Sequence, residues 1–137
     1  MKRIWLLLLP LAMLMVSCSK DDVQRPPINE GEWLNKERGY VLASSFQCDV
    51  FVAETQRGYA LMRNWGGFSP VRGAVLYGEF SRFGVQTFYN RSEGYLMNAD
   101  IREYTFSYFQ AMDMMNWYCD QGNSLGKASD STAAGTN

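Results

Sequence analysis

The feature that most constrains the fold is an alternation of apolar and polar residues that recurs, between glycine-containing turns, from residue 46 to residue 105. Period-two alternation places successive side chains on opposite faces, which is typical of a strand with one face in a core. The predicted strands cover residues 46–53, 59–64, 71–83, 85–89 and 95–105. Five short strands at this spacing predict a mainly β domain, either a small closed antiparallel barrel or a sandwich.

The period changes after the last predicted strand. Ser107 and Gln110 have the spacing of a capping box, and Gly122 is suited to end a helix that begins there. The apolar stripe of this helix consists of Tyr108, Met112, Met115 and Cys119. We therefore predict a C-terminal helix that packs this stripe on the strands. Five strands followed by a helix resemble SH3-like and OB-like small barrels, in pattern and without a specific motif.

The first seventeen residues have the parts of a secretory signal: two basic residues, an apolar run and a small residue at the end. The alternative is a membrane-spanning helix. The run is shorter than the roughly 17–25 residues that a span needs, and Pro10 interrupts it. Residues 15–18, Met-Val-Ser-Cys, resemble the lipobox of bacterial lipoproteins. This resemblance implies that residues 1–17 are removed and that Cys18 is lipidated.

Residues 18–22, Cys-Ser-Lys-Asp-Asp, also resemble the surface-export signal of lipoproteins in the Bacteroidota. The resemblance implies an outer-membrane protein anchored by lipid and exposed at the cell surface, with the periplasmic face as the alternative. Residues 18–31 then form a tether, because they are charged and proline-containing. Residues 32–121 form the barrel domain with its helix. Residues 122–137 are predicted to be a disordered tail, because they are small, polar and poor in apolar side chains.

Two cysteines, Cys48 and Cys119, remain beyond the predicted lipid attachment site. Exported proteins fold in an oxidising compartment, where paired cysteines usually form disulfides. Metal binding is the alternative, although two thiols in a chain without histidine make a poor zinc site. We predict a disulfide between Cys48, on the inner face of the first strand, and Cys119, on the inner stripe of the helix. Their Cα atoms should then lie within about 4.4–6.8 Å.

Composition excludes several classes of function. The chain has 13 basic and 14 acidic residues, and Lys2 and Arg3 leave with the signal, so no basic footprint for nucleic acid remains. Because there is no histidine, Ser-His-Asp and Cys-His arrangements are impossible. Three glutamates are candidates for acid–base chemistry, but all sit among polar or turn residues, where solvated surface is expected: Glu79, Glu93 and Glu103. We predict no enzyme activity, no cofactor and no metal.

Trp65 and Phe68 are the candidate binding residues, because they occupy a loop rich in glycine and proline, where aromatic side chains tend to be exposed. An exposed pair suits either an anchor in a protein interface or a stacking platform for a sugar ring. The alternative is that both pack under the barrel rim. In the tail, Asp130-Ser131-Thr132 resembles the short O-glycosylation motif of Bacteroidota, which implies modification at Ser131.

Two functions follow as expectations. The first is a non-catalytic interaction module, an accessory subunit that binds another outer-membrane or surface protein. The alternative is a surface protein that binds glycans through Trp65 and Phe68. A glycan site would place Trp65 in a groove beside hydrogen-bonding side chains, whereas a docking surface would be flatter and apolar.

Overall fold

The fold is taken from a computed structural model and is described for residues 26–128, with side chains for residues 26–121. The elements are α1 (Glu30–Leu34), β1 (Glu37–Ser45), β2 (Val50–Thr55), β3 (Gly58–Asn64), β4 (Val75–Gly78), β5 (Gly84–Asn90), β6 (Tyr95–Thr105) and α2 (Tyr108–Ala128). The strands form a closed antiparallel barrel in the order β1-β2-β3-β6-β5-β4. The predicted signal peptide, Cys18, most of the tether and Ser131 lie outside the described residues.

The prediction of a mainly β domain with a small antiparallel barrel and a C-terminal helix is confirmed, and the sandwich is excluded because β4 pairs with β1. The barrel has six strands rather than five. The strand missing from the prediction is β1, whose sequence lacks a regular apolar alternation. Gly39 stands where an apolar side chain would be expected, and a Cβ atom there would lie 2.3 Å from the Phe80 ring. The Phe80 ring, from the loop after β4, therefore fills the space that Gly39 of β1 leaves in the core.

Two strand boundaries also differ from the prediction. Residues 46–49, expected to begin the first strand, form the turn between β1 and β2, in which Asp49 has a positive φ of 55°. The expected strand over residues 71–83 is reduced to β4, since Gly73 turns the chain before it and residues 79–83 form a loop after it. That loop directs Phe80 into the barrel, where it is fully buried.

The barrel interior is an apolar core built around three fully buried aromatic rings, Phe51, Phe80 and Phe88. The ring centroids of Phe80 and Phe88 are 4.9 Å apart. Burial of a side chain of this size contributes roughly 1.5–3 kcal/mol. A Cβ atom on Gly78 would lie 2.3 Å from the Phe88 ring, so the barrel closes only because glycine lets the backbone approach that ring.

A second apolar layer lies outside the barrel wall, where α2 packs on β2 and β3. Val52 and Leu61 point outward from these strands and are buried against Ala111 and Met115 of the helix. This explains why β2 is apolar at nearly every position: one face lines the core, and the other contacts the helix. Neither helix among the described residues has the length and apolar character needed to cross a membrane.

The predicted disulfide between Cys48 and Cys119 is present, with the two Cα atoms 5.1 Å apart. Its setting differs from the expectation. Cys48 lies in the β1–β2 turn instead of on a strand face, and the bond joins that turn to the outer helix. The chain-entropy model gives roughly 4 kcal/mol for closing a loop of this size, at the top of the roughly 2–4 kcal/mol that is typical of disulfides.

The start of α2 matches the capping prediction in part, and its end does not. Ser107 Oγ accepts a hydrogen bond from the Gln110 backbone N–H at 3.4 Å, as an N-cap residue should. The Gln110 side chain instead accepts from Thr105 Oγ1 at 2.5 Å, so the box is not reciprocal. The helix also continues past Gly122 to Ala128, so the residues from 122 to 128 are helical and not the start of a disordered tail.

Candidate functional site: an aromatic cleft

Trp65 and Phe68 lie in the loop that follows β3 and are both exposed, at 58% and 86% of their surface. The alternative, that both rings pack under the barrel rim, is therefore wrong. Gly66 and Gly67 separate them with positive φ angles of 80° and 76°, a backbone conformation that glycine adopts without strain. The two glycines carry the chain away from the barrel, so the rings project from its surface.

Both ends of this loop are held by the barrel. The backbone N–H of Trp65 donates a hydrogen bond to the backbone carbonyl of Asn98 at 3.0 Å, which ties the loop to β6. Asn64 Nδ2 donates to the Gly67 carbonyl at 2.8 Å, and Asn64 itself is buried. Ser69 and Pro70, immediately after Phe68, are buried as well. The exposed rings therefore sit on a fixed base.

The disulfide supports the same base. The backbone N–H of Asn64 donates to the carbonyl of Asp49 at 2.7 Å, and Asp49 follows Cys48 in the β1–β2 turn. The bond from Cys48 to Cys119 thus fixes, through one backbone hydrogen bond, the residue from which the aromatic loop departs.

Trp65 and Phe68 form one side of an open cleft of about 1060 Å³, which we call the aromatic cleft. Its floor and second side come from the hairpin between β5 and β6, and its third from the segment before α1. The lining residues are Pro26, Pro27, Ile28, Glu30, Trp65, Gly66, Gly67, Phe68, Tyr89, Glu93, Gly94, Tyr95, Leu96, Met97 and Asn98. Aromatic rings and hydrogen-bonding groups therefore face one space.

The hairpin supplies the polar groups of the cleft. Asn98 points outward from β6, and its Oδ1 accepts a hydrogen bond from Thr87 Oγ1 of β5 at 2.9 Å. With its oxygen engaged in this way, the amide of Asn98 offers its nitrogen as a donor. Glu93 lies in the turn, where its N–H donates to Asn90 Oδ1 at 3.2 Å. These contacts hold donor and acceptor groups at defined positions beside the rings.

The N-terminal segment completes the cleft: Pro26, Pro27 and Ile28 line it ahead of α1, and α1 itself contacts Tyr89. The Tyr89 hydroxyl donates to Glu30 Oε1 at 2.5 Å, and the Trp33 ring lies 6.4 Å from the Tyr89 ring, centroid to centroid. The hydrogen bond to Glu30 raises the pKa of Tyr89 above its ordinary value, because ionisation would remove the proton that the bond shares. Residues 26–30, expected to belong to a tether, thus form a wall of the cleft.

Tyr95 joins the core to the cleft, because its ring packs on the interior cluster while the residue also lines the cleft. Burial raises the pKa of its hydroxyl, and Glu93 nearby acts in the same direction. The hydroxyl therefore stays protonated at neutral pH and can donate a hydrogen bond.

Of the three glutamates considered for acid–base chemistry, only Glu93 lines the cleft. Glu79 is exposed after β4, and Glu103 on β6 accepts a hydrogen bond from the Tyr118 hydroxyl of α2 at 3.2 Å. Sequence reasoning assigned Glu93 to solvated surface and did not single out Asn98. The alternation along β6 was a usable signal for Asn98, since it places that residue opposite the inward-facing Met97.

A second exposed aromatic surface lies where β6 ends and α2 begins, and it was not predicted. It consists of Phe106 and Phe109, which are 83% and 78% exposed, and we call it the junction patch. The rings of Tyr104 and Tyr108 lie beside them, at centroid distances of 6.1 and 5.6 Å. Within the described residues, no three His, Cys, Asp or Glu side chains lie together in a way that could hold a metal ion.

No protein-family model, no curated protein and no solved structure matches this chain. The geometry of the aromatic cleft and the N-terminal sequence therefore carry the functional inference.

Proposed function

We propose that this protein is a lipid-anchored, non-catalytic module of the bacterial outer membrane that binds glycans in the aromatic cleft. The observation that carries the proposal is the position of Trp65: exposed, and in a groove lined also by Glu93, Tyr95 and Asn98. Of the two expected functions, a sugar site requires this arrangement, whereas a flat apolar docking surface does not.

The chemistry of a sugar ring matches such a cleft. One face of the ring is made of C–H groups, which pack on an aromatic ring, while its edge carries hydroxyl groups that need hydrogen-bond partners. Trp65 and Phe68 offer the aromatic faces. Glu93 offers hydrogen-bond acceptors and Asn98 offers a donor, so a sugar hydroxyl finds a partner whether it donates or accepts the hydrogen bond.

The size of the cleft favours an oligosaccharide over a single sugar. Small-molecule sites usually enclose about 300–1,000 Å³. At about 1060 Å³, the aromatic cleft is slightly larger than that range, and it is open to solvent. A chain of sugar units could lie across it and continue beyond it.

The N-terminal sequence supports the location of the protein. Residues 15–18 resemble a lipobox and residues 18–22 resemble a surface-export signal, so Cys18 would carry the lipid. Pro26, in the wall of the cleft, follows Cys18 by eight residues. A chain spans at most about 3.3–3.6 Å per residue, so the cleft would stay within roughly 30 Å of the lipid. Such a position suits glycans at or near the outer leaflet.

The proposal is non-catalytic because Ser-His-Asp and Cys-His arrangements are impossible in this sequence, and because the two carboxylates of the cleft, Glu30 and Glu93, are both exposed to solvent. The chain has no histidine, and Cys48 and Cys119 are joined to each other. Trp65 and Asn98 can bind and orient a sugar, but neither side chain transfers protons at neutral pH.

The binding proposal is tested by titrating the full chain, in detergent micelles, with oligosaccharides of several monomer types. We expect Trp65→Ala to weaken binding by at least about tenfold, because the stacking face is removed. Trp117→Ala is the matched control, since Trp117 is exposed to the same extent, 56%, on α2 away from the cleft. Equal affinities for the two variants, or binding to none of the saccharides, would contradict the proposal.

The anchoring proposal is tested separately, by metabolic labelling with a fatty-acid analogue. We expect Cys18→Ala to abolish labelling, because the attachment point is gone. A labelled mutant would refute the lipoprotein assignment while leaving the glycan site untouched. Deletion of residues 20–22 should move the domain from the surface to the periplasm, as measured by protease accessibility on intact cells.

The junction patch supports a second function, the docking of another outer-membrane or surface protein. Phe106 and Phe109 expose most of their surface at one end of the barrel, and aromatic side chains are enriched at protein interfaces. Cross-linking from a photoreactive residue at position 109 in intact cells would test it. We expect cross-links to a single specific partner. Cross-linked products no different from those obtained with the photoreactive residue at position 117 would contradict the docking function.

A further inference from the structure

We propose that the glycan bound in the aromatic cleft contains an amino sugar whose protonated amine is recognised by Glu30 and Glu93; this inference rests on the glycan-binding function proposed above. The charged residues that line the cleft are these two glutamates, and its described lining includes no lysine or arginine. A cleft with this balance favours a cationic ligand over a neutral one, and it disfavours uronic acids and other anionic sugars.

The aromatic rings act in the same direction for an independent reason. The face of an aromatic ring is the negative part of its quadrupole, so it attracts a cation placed above it. Trp65 has the strongest such face among the aromatic side chains, and it is exposed to the cleft. Phe68 and Tyr95 add two further rings to the lining. The negative charge of the two glutamates and the quadrupoles of the aromatic rings therefore both favour a cationic ligand.

Both carboxylates retain capacity for an ammonium group. A carboxylate can accept about four hydrogen bonds. Glu30 accepts one from the Tyr89 hydroxyl, which fixes the orientation of the carboxylate at the wall of the cleft. Glu93 lies in the turn, close enough to Tyr95 to raise the pKa of its hydroxyl. Arg91, in the same turn, is the nearest cation along the chain, and it does not line the cleft.

The placement of the groups fits a sugar amine in particular. An amine on a pyranose ring stands at the ring edge, where a hydroxyl stands in other sugars. When the ring face packs on Trp65, its edge is left free for polar contacts, and Glu30 and Glu93 are among the residues that line the same cleft. The same pose thus satisfies stacking and the ion pair together.

The test compares a glucosamine hexasaccharide with its N-acetylated counterpart, which has the same linkage and no charge. The full chain in detergent micelles is titrated with each by calorimetry, at mildly acidic pH, where sugar amines are protonated. Exposed ion pairs contribute about 0.2–1 kcal/mol each, so two of them predict a preference of roughly 2- to 30-fold for the amine form. Raising the salt concentration should reduce the preference.

Variants assign the preference to the cleft. Glu93→Gln should lower affinity for the amine form by about 2- to 5-fold more than it lowers affinity for the N-acetylated form, because the charge is removed while the amide oxygen still accepts hydrogen bonds. Glu79→Gln, at an exposed position outside the cleft, is the matched control and should change neither affinity. If Glu93→Gln weakens the binding of both saccharides equally, the proposed ion pair with the amine is overturned.

The outcomes separate this inference from the function on which it rests. Equal affinity for the two hexasaccharides would overturn the amino-sugar inference and leave glycan binding intact. Binding to neither of these, nor to any other saccharide tried, would overturn both. A pentalysine peptide that binds as tightly as the amine form would show general attraction of cations and would also overturn the inference.

Discussion

The outer wall of the barrel has two halves that differ in what covers them. On β2 and β3, outward side chains such as Val52 and Leu61 are apolar and lie buried beneath α2. On β5 and β6, Thr87 and Asn98 point outward, are exposed and bond to each other, and α2 meets β6 only farther along, where Tyr118 contacts Arg102 and Glu103 in the described part of the chain. The two halves belong to one sheet, so the difference comes from side chains and not from backbone geometry.

This difference explains how a small domain can be both stable and available for binding. A barrel of this size needs more apolar burial than its interior provides, and the layer under α2 supplies it. The other half of the wall can then remain exposed to solvent, with Leu96 and Asn98 lining the aromatic cleft. Apolar burial that stabilises the domain and the residues proposed to bind a ligand therefore lie on different halves of the outer wall.

The sharpest way to break the comparison is a matched pair of leucine truncations. Leu61→Ala removes a side chain that is 1% exposed on the covered half, and we expect a loss of about 2–5 kcal/mol in the free energy of unfolding. Leu96→Ala makes the same change at 47% exposure on the open half, where we expect less than about 1 kcal/mol. Chemical denaturation measures both. Similar losses would show that the two halves do not differ.

Removing the disulfide tests how far the covered half depends on a covalent link. We expect Cys48→Ser combined with Cys119→Ser to lower the free energy of unfolding by about 2–4 kcal/mol, because the bond restricts the unfolded chain and holds α2 to the β1–β2 turn. The melting temperature should fall while the β-sheet circular dichroism signal at low temperature is retained. Loss of the sheet signal under native conditions would mean that the barrel cannot form without the bond.

A pair of phenylalanine variants tests whether exposed rings near the open half are specialised for binding. Phe68→Ala should weaken oligosaccharide binding by about 5- to 30-fold, because one stacking face is lost. Phe109→Ala, in the junction patch, removes a ring of comparable exposure and should leave the affinity unchanged. Neither change should affect unfolding by more than about 0.5 kcal/mol. Equal binding by both variants would argue against the cleft.

The smallest effect is expected for Asn98→Ala. The change removes a donor from the cleft and the acceptor of the Thr87 hydroxyl, which is exposed and can bond to water instead. A net hydrogen bond is worth about 0.5–1.5 kcal/mol, so affinity should fall about 2- to 10-fold. Thr87→Val, which removes only the supporting hydroxyl, should have a smaller effect in the same titration. The reverse order would indicate that Asn98 does not contact the ligand.

Local sequence patterns were sufficient for those features that depend on one segment at a time. The alternation along residues 95–105 predicted β6, and the helical spacing placed Met112, Met115 and Cys119 correctly on the face of α2 that packs on the barrel. Tyr108, predicted to belong to the same stripe, is 45% exposed, and the fully buried Ala111 was not predicted. Glycine and proline around Trp65 and Phe68 predicted a loop, and the structure decided between the two alternatives for its rings, which are exposed. The disulfide followed from the export signal and from the small number of cysteines.

Other features arose only when distant segments met. β1 could not be recognised from its sequence, because the ring that fills the space above Gly39 belongs to Phe80, in a loop after β4. The six-stranded closure therefore depended on a contact between segments about forty residues apart. The boundary of the predicted tether was wrong for the same reason, since Glu30 is held by the Tyr89 hydroxyl.

The sequence by itself determined the mainly β class of the fold, the C-terminal helix and the disulfide, because these depend on local periodicity and on the number of cysteines. It singled out Trp65 and Phe68, but only the tertiary structure decided that both rings are exposed. The tertiary structure decided the sixth strand and the composition of the aromatic cleft. Glu30, Trp65 and Asn98 come from three separate segments, which meet because β3 pairs with β6 and because the Tyr89 hydroxyl bonds to Glu30. A binding site of this kind depends on long-range packing, which local periodicity does not encode.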